Sequence, residues 1–99
     1  MFLKKVLVVD DEPKITQIVG VYLEKEGYQV FTASTGKEAL ECAERKALDL
    51  IVLDLRLPDL PGEEVCRRIR QRRDTPILML TANTSSTGRK TSILASNLS

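Results

Sequence analysis

Four short apolar runs recur along the chain, and segments with helical spacing separate them. The runs cover residues 6–9, 28–32, 50–53 and 77–80. Three of them are uniformly apolar, which is typical of strands buried on both faces, whereas the second is more mixed and suits a sheet edge. Strands that alternate with helices predict an α/β fold with a parallel sheet and helices on both faces.

The separating segments carry signals for helix starts and ends. Pro13 fits a first helical turn, where its missing N–H costs nothing, and Gly27 supplies a stop. Thr35 and Glu38 form a capping-box pattern at the start of the second helix. A loop with two prolines and a glycine, residues 56–62, precedes the third helix.

Composition excludes several classes of function. The 99 residues allow one domain, and a net charge of +1 gives no bulk attraction to nucleic acid or to an anionic membrane. No apolar run approaches the roughly 20 residues of a membrane span, and the first residues lack a signal-peptide pattern, so we expect a cytoplasmic protein. Histidine is absent, and Cys42 and Cys66 lie too far apart for a metal knuckle or redox pair.

Polar side chains follow three of the apolar runs. Asp10 and Asp11 come after the first run, Asp54 after the third and Thr81 after the fourth. Ligands of open parallel sheets bind beyond the carboxyl ends of the strands, so these side chains converge if the strands are neighbours. An all-oxygen ligand set without His or Cys favours Mg²⁺. Single aspartates after strands are often helix caps, but three carboxylates and a hydroxyl at one edge favour a site.

This arrangement suits phosphoryl transfer. A carboxylate beside a divalent cation can attack phosphorus and form an aspartyl-phosphate. Asp54 stands alone at the end of its run and is the candidate nucleophile, whereas Asp10 and Asp11 are better placed as metal ligands. The Thr81 hydroxyl could donate to a phosphoryl oxygen.

Residues 4–82 resemble the receiver domain of bacterial two-component response regulators. The resemblance is carried by VLVVDDEP at residues 6–13, LIVLDLRLP at 50–58, Gly62 with the helix after it, and PILMLTA at 76–82. It implies a flavodoxin-like sheet of five parallel strands in the order 2-1-3-4-5. It also implies a phosphorelay module that accepts phosphate from a sensor histidine kinase, rather than a turnover enzyme.

The resemblance also implies roles for individual residues. Asp54 would be the phosphoacceptor, and Mg²⁺ would be held by Asp10, Asp11, Asp54 and the backbone carbonyl of Arg56. Thr81 would be the switch hydroxyl that follows the phosphoryl group. No nucleic-acid or membrane partner is expected for this chain.

The chain departs from the family pattern after Ala82. The fourth helix, fifth strand, Lys-Pro dipeptide and fifth helix of receivers are not recognisable, and Lys90 is the only lysine after Thr81. We therefore expect an incomplete receiver at residues 1–82 and a Ser/Thr-rich tail at residues 83–99. The outer edge of the fourth strand would then be unpaired and would favour association. A homodimer that exchanges elements, or a tail that packs on a partner chain, follows from this hypothesis.

Two other functions remain open. A truncated receiver that keeps its metal site but has lost its switch would be a non-signalling interaction or dimerisation module. A haloacid-dehalogenase-like phosphatase also uses an aspartate nucleophile on a parallel sheet. That class would need a second aspartate two residues after Asp54, where this chain has Arg56.

Overall fold

Five strands and three helices make up the described part of a computed structural model, which covers residues 3–81 and 92–96. The elements, in chain order, are β1 (Lys5–Val9), α1 (Pro13–Lys25), β2 (Gln29–Ala33), α2 (Gly36–Arg45), β3 (Leu50–Asp54), α3 (Gly62–Arg70), β4 (Ile77–Thr81) and β5 (Ser92–Ser96). Each of the four predicted strands is present, and each begins or ends within a residue or two of its apolar run.

The strands form one sheet in the order β2-β1-β3-β4-β5. The pairs among the first four strands are parallel, with Val9 opposite Ala33 on one side and opposite Leu53 on the other. This confirms the predicted flavodoxin-like α/β fold and the position of the second strand at an edge. Because β1 and β3 are neighbours, the acidic residues that follow them reach the same edge of the sheet.

The two faces of the sheet bury separate apolar layers. Val6, Val8, Val52 and Leu80 pack on one face with Val19 and Leu23 of α1. The alternate positions, Leu7, Val9, Ile51, Leu53 and Ile77, pack on the other face with α2 and α3. Successive side chains of a strand point to opposite faces, so uniformly apolar strands require cover on both. Helices on both faces are therefore confirmed.

The fifth strand is not recognisable in the sequence, and its direction differs from that of the parallel strand that the resemblance implies. β5 runs antiparallel to β4, with Ser92 opposite Thr81 and Ser96 opposite Ile77. A parallel pair needs a crossover of about a dozen or more residues, usually a helix, whereas an antiparallel pair needs only a short return. Because β4 pairs with β3 on one side and with β5 on the other, the prediction that its outer edge is unpaired is wrong.

The helix ends follow the sequence signals closely. Pro13 is the first residue of α1, and Gly27 after that helix has a φ of 96°, in the left-handed region that glycine adopts readily. Thr35 caps α2 by accepting a hydrogen bond from the Glu38 N–H at 3.1 Å. The Glu38 carboxylate accepts the Ser34 N–H at 2.8 Å, so this reciprocal bond forms one residue earlier than in a standard capping box.

The remaining sequence expectations concern cysteines, the tail and the membrane. Cys42 is half-buried and Cys66 is buried, and both are free thiols. Among the helices that the structure describes, none has the length and apolarity that a bilayer crossing requires. The division at residue 82 and the packing of the tail on a partner chain stay predictions, because residues 82–91 and 97–99 lie outside the described residues.

Candidate functional site

Three carboxylates meet at the carboxyl edge of the central strands. Asp10 and Asp11 follow β1, Asp54 is the last residue of β3, and one carboxylate oxygen from each lies within 4.8 Å of the others. The parallel pairing of Val9 with Leu53 places Asp10 and Asp54 at adjacent positions past the last pair. The structure thus brings together all three carboxylates that the sequence predicted for a site.

Asp10 and Asp54 are buried, each with only 1% of its surface exposed, while Asp11 is exposed. Each buried carboxylate accepts a hydrogen bond from the N–H two residues later in the chain. The Glu12 N–H donates to Asp10 Oδ1 at 3.0 Å, and the Arg56 N–H donates to Asp54 Oδ1 at 3.1 Å. These local turns hold both side chains against the sheet edge and fix the direction of the chain that leaves each strand.

The donor set fits a hard divalent cation. Two buried carboxylates and one exposed carboxylate within a few ångströms concentrate negative charge at one point, which a cation of charge +2 would offset. All the candidate ligand atoms are oxygens, and Asp11 is exposed to solvent. Mg²⁺ binds in this way, through one or two carboxylates with waters and phosphate oxygens.

The loop between β3 and α3 is tightly closed beside this cluster. The Gly62 N–H donates to the Leu55 carbonyl at 2.9 Å, and Arg56 forms a β-bridge with Pro61. A Cβ on Gly62 would lie 2.6 Å from the Asp54 carbonyl oxygen and 2.7 Å from Leu55 Cα, so only glycine allows this approach. The closed loop keeps the Arg56 backbone directly after the cluster.

The end of β4 lies beside the end of β3. Asp54 is paired with Leu80, and the Leu55 N–H donates to the Leu80 carbonyl at 3.2 Å. Thr81 is the next residue, so its backbone reaches the predicted edge. Its side chain lies outside the described residues, as does Lys90.

Asp59 lies in the loop that follows Asp54, and the sequence analysis missed its role. Its carboxylate, at the tip of the β3–α3 loop, accepts hydrogen bonds from the Gly36 N–H at 2.7 Å and the Lys37 N–H at 2.9 Å. These two backbone donors at the start of α2 lower the pKa of the Asp59 carboxyl below its ordinary value. The only sequence signal was an aspartate in a proline-rich loop, and nothing in it pointed to a helix more than 20 positions away.

Comparison with known proteins places most of the chain in one family. The family model described as the response regulator receiver domain matches residues 6–96. The chain is 56% identical over 80 residues to the alkaline phosphatase synthesis transcriptional regulatory protein PhoP of Bacillus subtilis. That match covers 80% of this chain and 33% of PhoP, so the chain spans about a third of the length of this curated relative.

Solved structures show the same relationship. The chemotaxis response regulator CheY4 of Vibrio cholerae matches with a TM-score of 0.80 and 41% identity, over 85% of this chain and 72% of that one. The response regulator TrrA of Thermotoga maritima, solved in complex with Mg²⁺-BeF, matches with a TM-score of 0.77 and 40% identity, over 86% and 76% of the two chains. By its fold, by the family model and by these relatives, the chain belongs to the response regulator receiver domains, the signalling modules of two-component phosphorelays.

Proposed function

We propose that Asp54 is the phosphoacceptor of this receiver domain and that it works with Mg²⁺ held by Asp10, Asp11, Asp54 and the Arg56 backbone carbonyl. The observation that carries the proposal is the cluster of three carboxylates within 4.8 Å at the end of β1 and β3. The Mg²⁺-BeF complex of the TrrA relative is consistent with a cation at such a site. When bound, Mg²⁺ would offset the negative charge of the transferred phosphoryl group.

The chain's own residues would act mainly by position. A carboxylate oxygen of Asp54 attacks the phosphorus of the donor, an O–P bond to Asp54 forms, and the P–N bond to the histidine of a sensor kinase breaks. Burial of Asp54 in the sheet edge and the hydrogen bond from the Arg56 N–H orient its carboxylate for this attack. Thr81 would donate its hydroxyl to a phosphoryl oxygen and act as the switch residue.

A sensor histidine kinase is the proposed partner. The donor must bring phosphorus to the exposed side of the cluster, which Asp11 borders. PhoP is named as a transcriptional regulator of alkaline phosphatase synthesis, but this chain matches only a third of its length. We therefore propose the phosphoacceptor role for this chain and assign no transcriptional output to it.

A phosphatase of the haloacid-dehalogenase-like class is disfavoured by the same geometry. That class would need a second carboxylate two residues after the nucleophile. Arg56 occupies this position, and its side chain is exposed. The turn at Asp54 uses the Arg56 N–H, and the side chain at position 56 is not a carboxylic acid that could act as the general acid of that class.

The first prediction tests the phosphoacceptor directly. Incubation of the chain with Mg²⁺ and a small-molecule phosphodonor should add the mass of one phosphoryl group, as measured by intact mass spectrometry. Asp54→Asn should give no adduct, because an amide cannot attack phosphorus and hold it as an acyl phosphate. Asp49→Asn is the matched control, since Asp49 lies at the opposite end of β3 and accepts the Lys5 N–H at 2.7 Å.

The control should become phosphorylated like the parent. An adduct on Asp54→Asn, or none on a folded parent, would contradict the proposal. The second result would favour a receiver fold that acts as an interaction module without signalling.

A further inference from the structure

The carboxylate of Asp59 joins the β3–α3 loop to the start of α2. It accepts the Gly36 N–H at 2.7 Å and the Lys37 N–H at 2.9 Å, two of the N–H groups that have no partner within the helix itself. Both bonds are charge-assisted, and the positive end of the helix dipole favours the anion there. A second side-chain cap of α2, besides Thr35, therefore comes from a loop that begins directly after Asp54.

The same corner of the fold also holds the segment that carries Asp10. We define the β2–α2 corner as residues 33–37. The Ala33 carbonyl at the end of β2 accepts the Asp10 N–H at 3.0 Å. One corner thus contacts both chain segments that would supply metal ligands: the segment of Asp10 through its backbone, and the loop that carries Arg56 through Asp59.

The β2–α2 corner packs closely against its neighbours and is therefore expected to be rigid. A Cβ on Gly36 would lie 2.8 Å from Val65 Cγ2 and 3.0 Å from Leu60 Cβ. The start of α2 therefore packs closely against α3 and the β3–α3 loop. The Thr35 hydroxyl and the Glu38 carboxylate complete the hydrogen bonding of the corner. A loop tied to such a corner moves with it, because densely packed groups shift together.

We propose that Asp59 is a positioning residue for the metal site: it holds the β3–α3 loop, and with it the Arg56 carbonyl, at a fixed distance from the Asp10 carboxylate through the β2–α2 corner. This proposal rests on the proposed function, in which Arg56 and Asp10 bind the same cation. Groups outside the ligand shell that orient ligands typically change metal affinity about 10–100-fold when they are removed.

The test compares Asp59→Ala with Thr35→Ala. Both variants remove a side-chain cap from the same end of α2, but only Asp59 connects that end to the loop. We expect Asp59→Ala to weaken Mg²⁺ binding about 10-fold, measured by isothermal titration calorimetry, and Thr35→Ala to leave it within about twofold of the parent. Asp59→Asn keeps one acceptor oxygen and should fall between the parent and Asp59→Ala; it replaces the alanine variant if that variant does not fold.

Amide hydrogen exchange gives a readout that needs no metal. In Asp59→Ala the Gly62 amide, which donates to the Leu55 carbonyl, should exchange at least about 10-fold faster, as expected for the loss of charge-assisted bonds. In Thr35→Ala its exchange should match the parent. The comparison distinguishes a loop tether from a helix cap, since both variants lower stability.

Two results would overturn the proposal. If the parent binds Mg²⁺, equal affinities for Asp59→Ala and Thr35→Ala reduce Asp59 to a helix cap. If the parent binds no Mg²⁺, the metal site of the proposed function is rejected, and the exchange rate of the Gly62 amide alone tests whether Asp59 holds the loop. Equal exchange rates in the two variants would reject that role. Faster exchange in Asp59→Ala would support it.

Discussion

Gly62 lies at a position beside the site where the backbone leaves no space for a side chain. It has an ordinary helical role as the first residue of α3, yet the space that a Cβ would need is filled by the Asp54 carbonyl and Leu55 Cα at 2.6 and 2.7 Å. Backbone atoms cannot move aside as a flexible side chain can. Any larger residue must therefore push the β3–α3 loop away from the carboxylate cluster.

The second prediction follows from that contact. Gly62→Ala should lower the free energy of unfolding by about 1–3 kcal/mol, the usual cost of overpacking, as measured by urea denaturation. Gly20→Ala is the matched control inside α1, where a Cβ would meet only Val30 Cγ1 at an ordinary 3.5 Å. It should raise stability by about 0.5–1 kcal/mol because alanine favours helix interiors. A neutral Gly62→Ala would refute the close approach.

The carboxylates could be predicted from the sequence, but Asp59 could not. Asp10, Asp11 and Asp54 end runs that are uniformly apolar, so the position of each on a strand end follows from local pattern alone. The bonds of Asp59 join it to backbone N–H groups more than 20 positions away. A hydrogen bond to a backbone N–H cannot be predicted from residue types, since almost any residue could supply the same N–H.

The start of α2 depends on charged carboxylates. The Ser34 N–H and hydroxyl lower the pKa of Glu38, and the N–H groups of Gly36 and Lys37 lower the pKa of Asp59. A carboxyl with a lowered folded-state pKa stabilises the fold fully above its unfolded pKa of about 4 and loses that contribution as pH falls through the folded-state value. Low pH should therefore destabilise the N-terminal end of α2.

The third prediction concerns this pH dependence. Between about pH 5 and pH 3 the parent should lose stability in urea denaturation, and Asp59→Asn should lose less over the same range because one of the responsible carboxyls is gone. Glu38→Gln should behave similarly. A pH profile of Asp59→Asn that runs parallel to the parent would show that the hydrogen bonds of Asp59 do not depend on its charge.

The elements also show where sequence patterns stop being informative. The first four strands are buried on both faces or lie at an edge, and their apolar runs reveal them directly. β5 has the sequence SILAS, whose short apolar centre is flanked by serines and resembles a loop as much as a strand. Its antiparallel pairing with β4 is a tertiary contact, so local propensity could not predict it.

The free energy of unfolding of the whole molecule should depend on the cation that the carboxylate cluster binds. A ligand that binds the folded chain and not the unfolded chain raises the free energy of unfolding by RT ln(1 + [L]/Kd). The three carboxylates belong to two segments of the chain that only the folded sheet brings within 4.8 Å. Unfolded chains therefore have little affinity for the ion.

The fourth prediction is that Mg²⁺ at 10 times its dissociation constant raises the free energy of unfolding by about 1.4 kcal/mol. Urea denaturation at matched ionic strength would measure the change. Asp10→Asn, which removes one buried carboxylate, should abolish most of it. An equal gain in parent and variant would mean that the ion acts elsewhere on the surface.

The central pairing of β1 with β3 joins segments that are far apart in the sequence. Val6 pairs with Leu50, more than 40 positions away, whereas β4 and β5 are close together in the sequence. Closing the longer loop costs more chain entropy before any contact repays it, and contacts of this kind slow folding. Asp10 and Asp54 meet only once this distant pair has formed, so a folding intermediate in which β4 and β5 were already paired would still lack the cation site.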